Sequence, residues 1–349
     1  MKLLLSFLIA ITLIACKQKD TKETAVELPS EEQLTAYDLT IVFASCNDQD
    51  RPQPLWRPII ENQPDLYIWG GDNIYADTED MEKMKADYDK VWANQDYVEL
   101  SNKTKIVGTW DDHDYGGNDV GAEWKVKDEA QQLFLDFLKV DENDPIRKQE
   151  GVYSSEMITT DAGALKVILL DTRYFRSPLK KSTKEGHRYE PWDEADDGSI
   201  LGEAQWQWLE NELKDDSANF TLLVTSIQFL SEEHGYEKWA NFPKERAKMY
   251  SLLQRAKAQN VIMLSGDLHQ AEFSVNENAG TEYPLIDFTT SGLTHTYPEM
   301  AWNSNKYRVG EGTKVLNFGV LKFDFNNKKA LMEIRTEGNE LVEDLMQQY

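Results

Sequence analysis

Gly70-Gly71-Asp72-Asn73-Ile74-Tyr75 directly follows the apolar run Leu66-Tyr67-Ile68-Trp69, and Trp110-Asp111-Asp112-His113-Asp114 closes the run that begins at Ile106. Both stretches read as a β-strand ending in a loop rich in metal-ligating side chains. The pattern recurs twice: Phe43-Ala44-Ser45-Cys46 ends the run from Leu39, and Ser265-Gly266-Asp267-Leu268-His269 follows Val261 to Leu264. In α/β sheets the ligand crevice lies outside the carboxyl ends of the strands, so such loops converge on one edge. Glycines at 70, 71 and 266 suit tight turns straight after a strand. Taken singly, Cys46 reads as a small buried hydrophobe, Asp72 as a turn or cap residue, Tyr75 as a packed aromatic and Asp111 to Asp114 as a solvated turn. Together at four strand ends, these Cys, Asp, Tyr and His residues form a donor set for metal ions.

Around these loops the chain alternates short apolar runs with amphipathic ones. Further strands are expected at Val167 to Leu170, Thr221 to Thr225, Tyr283 to Thr289, Leu316 to Phe325 and Ala330 to Arg335. Helices are expected at Gln53 to Asn62, Glu79 to Asn94, Lys127 to Leu138, Glu203 to Leu213 and Lys244 to Gln259. Several strands are apolar at consecutive positions, the mark of strands covered on both faces. The fold class is therefore α/β with a mixed sheet. The acidic end, Glu340 to Tyr349, reads as a short helix over the site or as a frayed tail.

The chain has 349 residues with 62 acidic and 37 basic side chains, a net charge of −25. That balance argues against nonspecific nucleic-acid binding, because phosphate backbones attract clustered Lys and Arg. With 40% hydrophobic residues the chain has enough apolar matter for a large core and is not a disordered acidic tail. Its two cysteines cannot build a disulfide framework. The first ends an apolar run, Leu3 to Ala15, too short to span a bilayer comfortably and followed by polar Lys17-Gln18-Lys19-Asp20. Leu13-Ile14-Ala15-Cys16 resembles a bacterial lipobox. On that reading residues 1–15 are a signal peptide, Cys16 is lipidated and anchors an exported protein to a membrane, and 16–36 are a flexible tether. One domain then occupies 37–349.

The ordered set of motifs resembles the PhoD-like (alkaline phosphatase D) metallophosphatases, a branch of the calcineurin-like phosphoesterases. The resemblance rests on Cys46, Gly71-Asp72-Asn73-Ile74-Tyr75, Trp110 to Asp114 with Asn118, Leu170-Asp171-Thr172-Arg173, and Gly266-Asp267-Leu268-His269. Leu201 to Leu209 also resembles the helix that follows the Arg segment in that family. The resemblance implies a four-layer α-β-β-α sandwich of two mixed sheets with a bimetal centre. It makes Asp72 the bridging carboxylate, Cys46, Tyr75 and His269 the remaining ligands of a ferric (Fe3+) site, and Asp112 and Asp267 the holders of a second ion, Ca2+. Carboxylate oxygens are the hard ligands calcium prefers, and zinc, manganese and magnesium remain alternative occupants. His113 would contact the phosphoryl group or protonate the leaving oxygen, Asp114 would fix His113, and Arg173 and Asn118 would contact phosphate or metal.

The implied reaction is attack of a metal-bound hydroxide on phosphorus in a phosphomonoester or phosphodiester. A P-loop signature is absent from the sequence. Phospholipase D-type or nucleic-acid phosphodiesterase action is the second enzymatic reading, and a non-catalytic calcium-binding surface lipoprotein is the third. Cys46, Tyr75, His113 and His269 argue against the third, since a structural calcium site needs no thiolate or imidazole. Asp111 and His295 are further candidates for the site, His295 either as a wall of the substrate cleft or as a loop histidine satisfied by backbone. Tyr297, Trp302 and Tyr307 either form an aromatic wall or pack ordinarily, and His187 and His234 read as surface groups. The chain is expected to be a monomer with a small phosphoester as its partner.

Overall fold

A computed structural model describes residues 37–193, 195, 198–299 and 304–349. The signal segment 1–15, Cys16, the tether to 36 and Trp302 lie outside the described residues. Tyr37–Tyr349 forms one compact unit.

Among the described residues thirteen strands run in chain order: β1 (Leu39–Ala44), β2 (Leu66–Gly70), β3 (Lys105–Thr109), β4 (Ser154–Thr159), β5 (Ala164–Leu169), β6 (Phe220–Val224), β7 (Val261–Ser265), β8 (Ala271–Asn276), β9 (Leu285–Thr290), β10 (Arg308–Thr313), β11 (Phe318–Asp324), β12 (Lys329–Arg335) and β13 (Leu341–Gln348). The helices are α1 (Trp56–Glu61), α2 (Met81–Ala93), α3 (Gln95–Lys103), α4 (Asp112–Tyr115), α5 (Lys127–Phe137), α6 (Gly202–Glu212) and α7 (Pro243–Arg255). One sheet has the order β13-β12-β11-β1-β2-β3 and the other β10-β8-β9-β7-β6-β5-β4. Each is mixed. Strands β1, β2 and β3 are parallel, as are β5, β6, β7 and β9.

The layering follows from side chains alternating across each strand. Ile41, Phe43, Leu66 and Ile68 point from the first sheet into a shared core with Val167, Leu222, Ile262 and Phe288 of the second. Their sequence neighbours Val42, Tyr67 and Trp69 face outward onto Trp56, Met84, Tyr97 and Phe134 of α1, α2, α3 and α5. On the far side Ile168, Leu223 and Met263 meet Trp206 and Leu209 of α6 and Met249 and Leu253 of α7. The result is a four-layer α-β-β-α sandwich, and consecutive apolar residues are needed because both faces of the central strands are covered.

Several boundaries differ from the sequence reading. The first helix starts only at Trp56, since Pro54 disfavours a helical Gln53 and itself has no N–H to donate. The expected helix to Asn94 is followed by a separate α3: Asn94 is extended, ends α2, and its side chain accepts from the N–H groups of Asp96 and Tyr97. The acidic end is neither helix nor frayed tail. It is β13, paired antiparallel with β12 from Lys329↔Gln348 to Arg335↔Leu341 at a sheet edge. Backbone pairing carries this strand while many of its side chains stay exposed, so its apolar alternation is weak.

At the inter-sheet core, Phe288 lies edge-on to Phe43 with ring centroids 5.0 Å apart. Phe288→Ala is expected to destabilise the domain by about 3 to 5 kcal/mol in denaturant titration, through lost burial plus the cavity left behind. A loss below about 1 kcal/mol would show that this layer is not the one holding the sheets together.

Candidate metal centre

Parallel strands of both sheets deliver their carboxyl ends to the same place. Ser45 Oγ donates to Thr290 O at 2.9 Å, and Thr109 Oγ1 to Leu170 O at 2.6 Å, so hydrogen bonds close the seam between the sheets at that end. The loops approach closely because glycines stand between them. A Cβ on Gly71, whose φ is +104°, would sit 2.8 Å from Asp111 Cβ, and one on Gly266 would sit 2.4 Å from Ser45 Oγ. The backbone also turns sharply at the candidate ligands themselves. Cys46, Asp72, Asp267 and His269 all have positive φ, between 52° and 66°. Non-glycine residues hold that conformation where surrounding structure imposes it, as functional sites often do.

One ligand atom from each of Asp72, Asp111, Asp112 and Asp267 lies within 4.8 Å of the others, and Asp72, Asp112 and His113 form an overlapping group. Asp72 Oδ2 lies 3.5 Å from Cys46 Sγ and accepts from Tyr75 OH at 3.1 Å. His269 lines the same cavity, its ring 6.3 Å from that of Tyr75, with Nδ1 buried and unpartnered. Burial and the neighbouring carboxylates push Asp72 and Asp267 well above the usual carboxylate range. Burial, opposed by Arg173, raises Asp111 to about 7. Asp112 is drawn down to about 2 despite its burial, by His113 and Arg173. Cys46 and Tyr75 are both raised, first by burial and then by Asp72.

The donor set fits metal ions. Asp111 Oδ2, Asp112 Oδ1 and His269 Nδ1 are buried without a hydrogen-bond partner, and grouped buried carboxylates repel one another unless a cation stands between them.

Two roles implied by the resemblance are corrected by position. Asp114 does not fix His113: its carboxylate accepts from the N–H groups of Asp111 and Asn73 and from Asn73 Nδ2, which closes the turn into α4. His113 Nδ1 instead meets Asp77 at 2.8 and 2.9 Å, leaving Nε2 turned toward Asp112 at 4.0 Å. Burial opposes a charge on His113, yet Asp112, Asp72 and Asp77 raise it to about 11. Arg173 is fully buried and does not line the cavity. Its guanidinium is taken up by Asp111 and by Glu237, at 2.6 Å to each, so it acts beneath the site through Asp111.

The cavity, about 440 Å³, is also lined by Asn118, His295 and Tyr297. His295 is buried and shares a hydrogen bond with Thr294 Oγ1 at 3.2 Å. Tyr307 packs elsewhere, its hydroxyl on Glu232. His234 is not a surface group. It is buried, and burial with Lys238 nearby holds it well below its usual range. Sequence reasoning missed Asp77, Asp119, Arg188 and Glu237. Asp77 lay two residues beyond Tyr75 and was legible as an extension of that motif, whereas the others come from irregular loops with no periodic or motif signal.

Comparison with known proteins agrees with this geometry. The PhoD-like phosphatase family model matches residues 41–342. Alkaline phosphatase D of Bacillus subtilis (strain 168) is 25% identical over 184 residues, a match that spans 47% of this chain and 30% of that protein. The chain thus covers less than a third of that relative's length. A solved structure of PhoD superposes with a TM-score of 0.71 at 16% identity, covering 90% of this chain and 69% of the other. A dimetal phosphatase from Danio rerio superposes at 0.56 with 12% identity, covering 90% of this chain and 100% of the other, and shares the fold. With its model matched across nearly the entire described unit, the chain belongs to the PhoD-like phosphatase family.

Proposed function

We propose that this protein is a metal-dependent phosphoester hydrolase acting on phosphomonoesters or phosphodiesters. The observation that carries the reading is the cluster of buried Asp72, Asp111 and Asp112 with partly buried Asp267, with Cys46 and Tyr75 against Asp72 and His113 beside them, opening into one cavity. Asp72 would bridge two ions. Cys46, Tyr75 and His269 would hold a ferric ion, since thiolate and phenolate suit a high charge, and Asp112 and Asp267 would hold calcium through hard oxygens. When bound, such ions lower the pKa of water and neutralise charge on phosphoryl oxygens.

The chain's own residues supply the rest. In hydrolysis the oxygen of water forms a new bond to phosphorus, the ester P–O bond breaks, and the departing oxygen needs a proton. His113 would carry that proton at Nε2, since Asp77 engages Nδ1 and leaves Nε2 free to face the cavity. Arg173 positions Asp111 and balances its charge. Cys16 would tether the enzyme to a membrane on the outer side of the cytoplasm, with 17–36 as its leash.

The central test is a phosphoester panel, monoesters and diesters at alkaline pH with calcium present. Release of phosphate or alcohol from at least one substrate class is expected, and no turnover of any would overturn the proposal. Purified protein should contain iron and show visible absorption that vanishes in Tyr75→Phe; colourless, iron-free and active protein would contradict the ferric assignment. Asp77→Asn is expected to lower kcat about 10- to 100-fold with metal content unchanged, read by steady-state kinetics beside elemental analysis. Cell fractionation tests the anchor: Cys16→Ser should move the protein from the membrane to the soluble fraction, and an unchanged distribution would refute lipidation there.

A further inference from the structure

The loop carrying Arg188 is built to present a cation to the cavity. Arg188 N and Tyr189 N both donate to Gly235 O, at 2.8 and 2.9 Å, which locks the loop before Tyr189 onto the segment that contributes Tyr236 and Glu237 to the cavity wall. Gly235 permits that contact, because a Cβ there would sit 2.5 Å from His187 Cα. Arg188 Nη1 pairs with Asp119 Oδ2 at 2.8 Å, and its guanidinium lies 5.6 Å from the Tyr236 ring centroid. Nη2 has no hydrogen-bond partner among the described residues, and the side chain is half exposed in the cavity wall. Asp119 also accepts from Tyr189 OH at 2.7 Å, and its N–H donates to Asp112 Oδ2 at 2.6 Å. The cation is thereby fixed, through Asp119, at one remove from a metal-ligating carboxylate. Arg51, whose Nε is held by Asp48 Oδ2 at 2.8 Å, and Lys314, from two other loops, line the same cavity, which also carries the carboxylates of Asp48, Asp112, Glu237 and Asp267.

We propose that Arg188, with Arg51 and Lys314, forms a second anion subsite, and that the preferred substrates are organic phosphoesters bearing another phosphate or a carboxylate beyond the scissile phosphoryl group. The inference rests on the hydrolase reading and deepens it. A cation serving only to neutralise Asp119 needs no planar fork aimed at solvent, whereas a guanidinium held on one arm keeps N–H donors in place for an oxyanion. Preorganisation by the Gly235 contact reduces the ordering cost of using it.

The test uses three matched substrates with the full metal-loaded protein: propyl phosphate, the same chain ending in a carboxylate, and propane-1,3-diol bisphosphate. The wild-type protein is expected to favour the two doubly anionic substrates about tenfold in kcat/KM, mainly through KM. Arg188→Gln should bring that preference below about threefold, Arg188→Lys should restore part of it, and Lys306→Gln, which removes a cation outside the cavity wall, should leave it intact. No preference in the wild-type protein, or a preference unchanged in Arg188→Gln, would overturn the subsite. Loss of activity on all three substrates in equal proportion would assign Arg188 to holding Asp119 and likewise overturn it. If the wild-type protein hydrolyses none of the three, the hydrolase reading fails on these substrates, and calorimetric binding of the bisphosphate against propyl phosphate decides the subsite alone. About tenfold tighter bisphosphate binding, lost in Arg188→Gln, would uphold it, and equal binding would refute it.

Discussion

Three buried carboxylates, Asp72, Asp111 and Asp112, with the partly buried Asp267, bring ligand atoms within 4.8 Å of one another, and this is the constraint around which the protein is organised. Were all four ionised with no cation between them, each pair would repel by roughly 3 to 4 kcal/mol even at an effective dielectric of about 20, and burial together with this repulsion pushes Asp72 and Asp267 well above the usual carboxylate range. A few such pairs equal the whole net stability of an ordinary domain, roughly 5 to 15 kcal/mol. Arg173 answers part of the charge through Asp111, and Glu237 in turn takes up Arg173 and, at 2.9 Å, Arg176. What the protein chain leaves uncompensated is a demand for cations, which makes the cluster a candidate metal centre.

Holding such a group together requires a rigid frame. The inter-sheet core supplies it, with Ile41, Phe43 and Ile68 of one sheet packed against Val167, Leu222 and Phe288 of the other. Parallel strands in both sheets then bring their carboxyl ends to one seam, which Ser45 and Thr109 close by hydrogen bonds. Gly71 and Gly266 let the loops come near enough for Asp72, Asp111 and Asp267 to meet. The route runs from alternation in the strands to two covered sheets, to a common edge, to a carboxylate cluster, and finally to a cavity lined by His113.

Much of this was legible in the sequence, for a physical reason. Strands covered on both faces leave apolar runs such as Ile41 to Ala44, and the loops after them must carry the chemistry, so Asp72, Asp112 and Asp267 stood out. The less legible parts depend on backbone pairing or on contacts between distant loops. Strand β13 is held by its hydrogen bonds to β12 more than by an apolar face. Asp77 took the role assigned to Asp114 because the chain turns back on itself after Tyr75, bringing its carboxylate to the His113 ring. Arg188 and Glu237 come from loops whose position is set by one another, as Gly235 shows, and no local pattern encodes that.

Elemental analysis of the purified protein beside Asp72→Asn tests the central claim most directly. The account predicts about two metal ions per wild-type chain and loss of both sites' occupancy in Asp72→Asn, since one carboxylate serves both. Wild-type protein that is folded yet binds no metal at micromolar concentrations, or an Asp72→Asn variant that keeps its full metal content, would contradict it.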